Sequence, residues 1–272
     1  MKIGFIVRKD CTRCANIVRR IVEILPDDWD VIYDREAARM LNRKGNSIES
    51  MEADILITVG GDGSVLRSLQ LAKGPVLGIN MGSLGFLSEV EIGEVESSVY
   101  KLIKGNYKVE ETMKLRLTIN GTQIIDSTNE VVLHSSKIAK IRKFRLFVDG
   151  VFFDSTTSDG VIVATPIGST SYSFSAGGPI LYPTLDAMVV TYLAPFRSRS
   201  RPLVIPSSQE INLRIFGKKQ SCDLIVDGQE QFAVDENDDI RITVSPERAR
   251  FVTFRNSFYE RIREKLIRNV VN

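Results

Sequence analysis

Apolar residues follow two different patterns along this chain. From residue 1 to about 108, short unbroken apolar runs alternate with stretches of helical spacing. KIGFIV, from Lys2, reads as a buried strand, and CANIVRRIVEIL follows with Ile17, Ile21, Ile24 and Leu25 on one helical face. DVIYD fits a second strand, DILITV a clearer third, SVLRSLQLA a helix and PVLGIN another strand. This alternation predicts an α/β layer with a largely parallel sheet. From about residue 109 the period falls to two, in LRLTI-NG-TQII, FRLFV-DG-VFFDS, INLRIF-GK and CDLIV-DGQ. Asn-Gly and Asp-Gly between such runs are hairpin signals. The predicted organisation is an N-terminal Rossmann-like α/β domain over 1–108 and a mostly β, sandwich-type domain over 109–253. A helical tail, SFYERIREKLIRNVV, would bring 254–272 back to the first domain.

Composition mainly removes options. With 272 residues, 43% hydrophobic and 26% charged, the chain can bury a sizeable core. Its 36 Lys and Arg against 34 Asp and Glu leave a net charge of +2, which argues against bulk attraction to nucleic acid or anionic membrane. No apolar run approaches the ~18 residues of a membrane span. The apolar stretch before Arg8 is too short for a secretory signal. Cys11, Cys14 and Cys222 make no disulfide framework, so the expected setting is the cytoplasm. There, Cys11 and Cys14 are expected as reduced, partly buried small residues rather than as a thioredoxin-like redox pair after the first strand. His134, the only histidine, reads as structural, since no G-x-S-x-G elbow exists for a hydrolytic triad. The basic run Lys137–Arg145 reads as one solvated strand face.

Candidate chemistry starts at Gly60-Gly61-Asp62-Gly63-Ser64, between a strand and a helix expected to begin at Ser64. A helix N-terminus after glycines suits phosphate oxygens. The stretch is neither a Walker A loop nor G-x-G-x-x-G, so the phosphate-neutralising lysine is missing. Mg²⁺ or Arg67 would then offset phosphate charge. Asp62 makes sense toward the other reactant, an acceptor hydroxyl that must be oriented and deprotonated. Three more stretches are built for close ligand approach: Asn80–Leu87 (NMGSLGFL), Asn129-Glu130, and Ser158–Pro183, crowded with Gly, Ser and Thr.

Together with Arg201–Pro206 (RPLVIP) and Asp227–Gln229 (DGQ), these segments occur in the order and spacing of the NAD kinases, and the chain resembles that family over about residues 1–260. The resemblance implies phosphoryl transfer from ATP or polyphosphate to the 2′-hydroxyl of the adenosine ribose of NAD, giving NADP, with Mg²⁺ on the donor. It implies a cleft between the domains, small-molecule substrates only, and a homodimer or homotetramer with β domains meeting. Asp62 matches the proton acceptor, with Gly63 beside it. Asn129, Glu130 and Asp159 match dinucleotide contacts. Thr170, Ser171, Tyr172, Ser173, Phe174 and Ser175 match the ligand-lining segment, and Gln229 matches the glutamine of D-G-Q. Arg67 and Lys140 match basic contacts, and Ala194 a backbone contact. Thr157 stands where some bacterial members carry a basic residue, and Phe196 where many carry histidine. Two rival readings use part of the pattern: a lipid kinase sharing the GGDG loop, and a non-catalytic dinucleotide-binding regulator.

Overall fold

The first apolar run becomes β1 (Lys2–Val7), buried from its second residue onward. The computed structural model describes residues 1–272 apart from 83–84, 138–139, 197–199, 218–220, 255–257, 264–265 and 267–272. The chain divides into two compact units, Met1–Glu111 with Ala249–Asn272, and Thr112–Arg248.

In the first unit β1 is followed by α1 (Thr12–Ile24), β2 (Asp30–Asp34), α2 (Arg35–Leu41), β3 (Gly45–Asn46), β4 (Ile55–Gly60), α3 (Asp62–Leu71), β5 (Val76–Asn80), β6 (Val90–Glu91) and α4 (Val95–Ile103). The strands pair in parallel in the order β3-β2-β1-β4-β5. The buried face of α1 (Cys14, Ile17, Val18, Ile21) closes over Ile3, Phe5, Ile55, Ile57, Leu77 and Ile79 in one apolar core. The strand order reverses at β1 and β4. In open α/β sheets such a switch point leaves a crevice outside the carboxyl ends of the two strands, where ligands bind.

The second unit contains two antiparallel sheets. One runs β14 (Leu203–Pro206), β13 (Ala187–Leu193), β12 (Gly160–Ala164), β9 (Glu130–Ser135), β16 (Ser221–Val226), β17 (Glu230–Asp235). The other runs β11 (Val151–Ser158), β10 (Arg142–Val148), β15 (Ile211–Phe216), β18 (Ile240–Thr253), with β7 (Lys108–Ile119) on β18 and β8 (Thr122–Ser127) on β7. Alternate residues of both sheets, among them Leu115, Val131, Leu133, Phe144, Val161, Val190, Leu213, Leu224 and Ile242, fill a single core, which makes this unit a β-sandwich. The predicted hairpins form at Asn120-Gly121, Asp149-Gly150 and Asp227-Gly228. All six residues have positive φ, as tight primed turns require.

The end of β18 pairs with β5 (Phe251 to Val76), and α6 (Phe258–Ile262) sets Phe258 edge-on to Phe86, so the described part of the tail belongs to the first unit. The predicted helix beyond it falls mostly on 264–265 and 267–272, outside the described residues.

Two expectations are corrected. The third helix starts at Asp62, not Ser64, because Gly61 takes the extended N-cap conformation and a carboxylate is favoured in a first turn. Cys11 and Cys14 are not free thiols: they form a disulfide across the first turn of α1, whose cap geometry brings their Cα atoms to 5.3 Å. So short a loop restricts the unfolded chain only weakly, by about 2 kcal/mol at most. Cys11→Ser with Cys14→Ser is expected to lower Tm by only a few degrees, and reductant to shift the wild type to the same value. A larger fall in the variant, measured by differential scanning calorimetry, would make the bridge a main support of the first unit.

Candidate active site

Asp62 stands at the carboxyl end of β4, beside the switch point. Its side chain turns away from the helix end into the 85–88 turn. Oδ2 accepts from Phe86 N at 2.5 Å, and Oδ1 accepts from Ser88 N and Ser88 Oγ, both at 3.1 Å. Gly85 is required there, because a Cβ on it would lie 2.5 Å from Asp62 Oδ1. Gly61 and Gly63 differ: a Cβ on either would meet nothing within 4 Å, so the front of the loop is open. Asn80–Leu87 is thus the segment that holds Asp62, although 83–84 lie outside the described residues.

A cavity of about 260 Å³ opens in the same unit. Its lining includes Lys9 after β1, Asp34 and Arg35 where β2 meets α2, Asn46 and Ser47, and Arg67 on α3. Among the described residues Lys9, Arg35 and Arg67 form no ion pair. Asp34 is buried and caps α2, accepting from Ala37 N at 2.7 Å and Val7 N at 3.4 Å. Burial pushes its carboxyl up to about 6, against the pull of those N–H groups and of Arg67. The cavity thus carries the basic side chains of Lys9, Arg35 and Arg67 alongside the acidic ones of Asp34, Glu36 and Glu49.

In the second unit Glu130 opens β9 with Asn129 just before it, and both are buried. Their backbone is clamped. Thr165 N donates to Asn129 O at 2.8 Å, and Thr165 Oγ1 donates to Thr128 O at 2.7 Å. Gly168 packs so close that a Cβ would sit 2.0 Å from Asn129 O. Their side chains are not engaged in the same way: Asn129 Oδ1 and Glu130 Oε2 are buried without a hydrogen-bond partner. Burial, with the Asp227 carboxylate beside it, raises the Glu130 carboxyl to about 8, while the Ser171 hydroxyl lowers it. At neutral pH the group is protonated and can donate to a ligand acceptor.

The remaining predicted residues separate into three groups. Thr170 and Ser171 lie in the short helical turn after Gly168, with Ser171 reaching Glu130. Tyr172, Phe174 and Ser175 of α5 (Tyr172–Ser175) are exposed, but Ser173 is fully buried and bonded to Thr191 Oγ1 at 2.8 Å. Thr157, Asp159 and Ala194 form a second group: Asp159 N donates to Leu193 O, Thr157 O accepts from Phe196 N, and Ala194 has a φ of 43°. Lys140 is exposed, with its carbonyl taken by Ser135 Oγ, and Gln229 closes the Asp227-Gly228 turn through its N–H to Val226 O. His134 sits between β12 and β16 with Nδ1 2.7 Å from Ser135 O, in keeping with a structural role.

Residues 34–107 match the ATP-NAD kinase N-terminal domain, and residues 128–254 match the ATP-NAD kinase C-terminal domain. The chain belongs to the NAD kinase family. It is 56% identical over 272 residues to the NAD kinase of Thermoplasma acidophilum, and 47% identical over 272 residues to that of Picrophilus torridus, covering the whole of each chain. Among solved structures, yeast NADH kinase complexed with NADH superposes with a TM-score of 0.88 at 27% identity, covering 100% of this chain and 89% of that one. An NAD kinase from Archaeoglobus fulgidus in complex with ATP superposes with a TM-score of 0.77 at 30% identity, covering 97% and 99%.

Three side chains that hold the candidate site residues or line the cavity are not among the residues that the sequence marks as site contacts. Ser88 lies one residue beyond NMGSLGFL, Asp34 ends an apolar run, and Asp227 belongs to a turn signal. Asp34 carries a usable signal, because an acidic residue between an apolar run and REAARML is an N-cap pattern. Lys9 and Arg35 carry none, since only the strand order brings their elements together.

The buried Glu130 yields a pH prediction. Its folded pKa of about 8 lies above the ordinary 4.5, so its favourable contribution is complete below 4.5 and is lost as pH rises through 8. Glu130→Gln should therefore match the wild type in Tm near pH 4.5 and exceed it increasingly up to pH 8. Across that window the wild type loses at most about 1.4 kcal/mol relative to the variant for each step of one in pH. A Tm difference that stays constant across this range would mean that Glu130 is ionised in the folded protein at neutral pH.

Proposed function

We propose that Asp62 receives the proton of the 2′-hydroxyl on the adenosine ribose of NAD while the terminal phosphoryl group of ATP or polyphosphate passes to that oxygen, giving NADP. The observation that carries this reading is the fixed carboxylate of Asp62, held from behind by Phe86 and Ser88 at a loop whose glycines leave its front open. A carboxylate within hydrogen-bond reach of an acceptor hydroxyl orients it and takes its proton. The donor phosphates would lie at the N-terminus of α3 and against Lys9, Arg35 and Arg67, which supply the charge a Walker lysine supplies elsewhere. Mg²⁺ carried on the donor would offset further phosphate charge. Among the described residues no three His, Cys, Asp or Glu side chains converge, so the residues fit a metal held by phosphates rather than a resident protein cage.

Asn129, Glu130, Asp159, Tyr172 and the neighbouring residues of the β unit would bind the dinucleotide. Support comes from the unpartnered Asn129 Oδ1 and Glu130 Oε2 and from the exposed ring of Tyr172, which offers a stacking face. Ser173, with its side chain buried against Thr191, would contribute only backbone. No helix among the described residues is long and apolar enough to cross a membrane. The proposal places the enzyme in the cytoplasm as a homodimer or homotetramer, with the exposed Val151, Phe152 and Phe153 of the β10–β11 hairpin as contact surface.

Asp62→Asn is expected to keep much of the NAD affinity but lose about 10²–10⁴-fold or more in turnover, because the amide cannot accept the proton and its nitrogen would face the Phe86 or Ser88 N–H that holds the carboxylate. Turnover near the wild-type value, followed by chromatographic detection of NADP, would reduce Asp62 to a turn residue. Asn129→Ala and Tyr172→Ala should weaken NAD binding by about 1–3 kcal/mol each in isothermal titration. They should leave the affinity for a non-hydrolysable ATP analogue unchanged. Equal losses for both ligands would contradict the division of the site.

A further inference from the structure

Three hairpin tips in the β unit share one device. Asn120, Asp149 and Asp227 all sit at positive φ (51°, 47° and 51°), and each exchanges backbone and side-chain bonds with a distant segment. Asn120 N donates to Asp239 O, and its Oδ1 accepts from Asp239 N. Asp149 does the same with Glu210. Both of these tips are exposed, and each side chain accepts one bond from its segment.

At Asp227 the device is buried and enlarged. The residue is 5% exposed. Its Oδ1 accepts from Ser127 Oγ at 2.6 Å, Asn129 N at 2.8 Å and Glu130 N at 3.1 Å, while Oδ2 accepts from Thr128 N at 2.8 Å. Asp227 N donates back to Glu130 O at 3.0 Å. Three consecutive amide groups thus converge on one carboxylate, the nest arrangement by which backbone binds anions. A tight turn alone does not call for this. Asparagine serves at position 120, but at 227 an amide nitrogen would face N–H groups that need an acceptor. Thr165 and Gly168 hold the same segment from its other side. The two clamps take up the backbone of 127–130 and leave Asn129 Oδ1 and Glu130 Oε2 without protein partners.

We propose that Asp227 is the positioning residue of the dinucleotide site, its carboxylate fixing the 127–130 backbone and through it the aim of Asn129 and Glu130. The proposal rests on the reading of Asn129 as a dinucleotide contact. Asp227 itself touches no substrate in this scheme. Its loss therefore acts on NAD through Asn129 and Glu130 and leaves the phosphoryl donor, seated by residues of the other unit, unaffected.

The test is a double-mutant cycle on the full-length enzyme, with Kd for NAD and for a non-hydrolysable ATP analogue measured by isothermal titration, and Tm recorded for each variant. Asp227→Asn should raise Kd for NAD about tenfold or more and leave Kd for the analogue within about twofold. In an Asn129→Ala background the same substitution should add much less, because the residue through which it acts is gone. Ser127→Ala removes one bond and no charge, so it gives a smaller change in the same direction even where Asp227→Asn fails to fold. Unchanged NAD affinity in Asp227→Asn alongside a clear loss in Asn129→Ala overturns the positioning role. Full additivity, or equal losses for both ligands, overturns it as well and leaves Asp227 a structural residue. If Asn129→Ala itself leaves NAD affinity intact, the reading of the site fails, and the proposal fails with it.

Discussion

The proposed base of this enzyme is held by a turn that follows it by more than twenty residues. Asp62 opens α3, yet both its carboxylate oxygens accept hydrogen bonds from Phe86 and Ser88. A carboxylate at a helix N-terminus would otherwise swing among rotamers and compete with bound phosphate for the same amide groups. Held aside by the 85–88 turn, in the proposed reaction it leaves the helix end to the donor and presents itself to the acceptor. This resolves the oddity of an anion in a phosphate loop: the two negative groups are assigned to different places by backbone geometry. The cost falls on the sequence. Gly85 cannot take a side chain without striking Asp62, and Gly60 cannot without striking Ser64.

The β unit solves the complementary problem of presenting polar side chains from a buried position. An unpaired buried carboxyl or amide destabilises a fold, so Asn129 and Glu130 are tolerated only because the surrounding structure over-determines their backbone. Asp227, Thr165 and Gly168 supply that rigidity, and Glu130 reduces its own penalty by remaining protonated. Part of the stability given up there is available to a ligand that satisfies Asn129 and Glu130, which in the proposed reading links affinity for NAD to the cost of burying those two groups.

Much of this is legible in the chain. The switch from helical spacing to period two places the α/β and β parts, and Asn120-Gly121, Asp149-Gly150 and Asp227-Gly228 mark three real hairpins, because positive φ restricts residue choice sharply enough to read. The GGDG loop and the 158–183 segment point to the chemistry, and the matched domains agree. What stays hidden depends on distance in sequence. Ser88 reaching Asp62, Asp227 reaching 127–130, and Lys9 with Arg35 and Arg67 around one cavity all join residues far apart in sequence, and no local pattern encodes such meetings. The Cys11–Cys14 bridge escapes for another reason: composition argues from compartment, whereas the cap geometry of α1 acts locally.

The central claim is that Asp62 faces the ribose hydroxyl. The most direct measurement is a crystal structure of the enzyme with NAD and a non-hydrolysable ATP analogue bound together. The account predicts an Asp62 carboxylate oxygen about 2.6–3.2 Å from the adenosine ribose 2′-oxygen, with Phe86 N and Ser88 still behind it. A 2′-oxygen beyond about 5 Å, out of reach even through one water, with another side chain at hydrogen-bond distance, would contradict it.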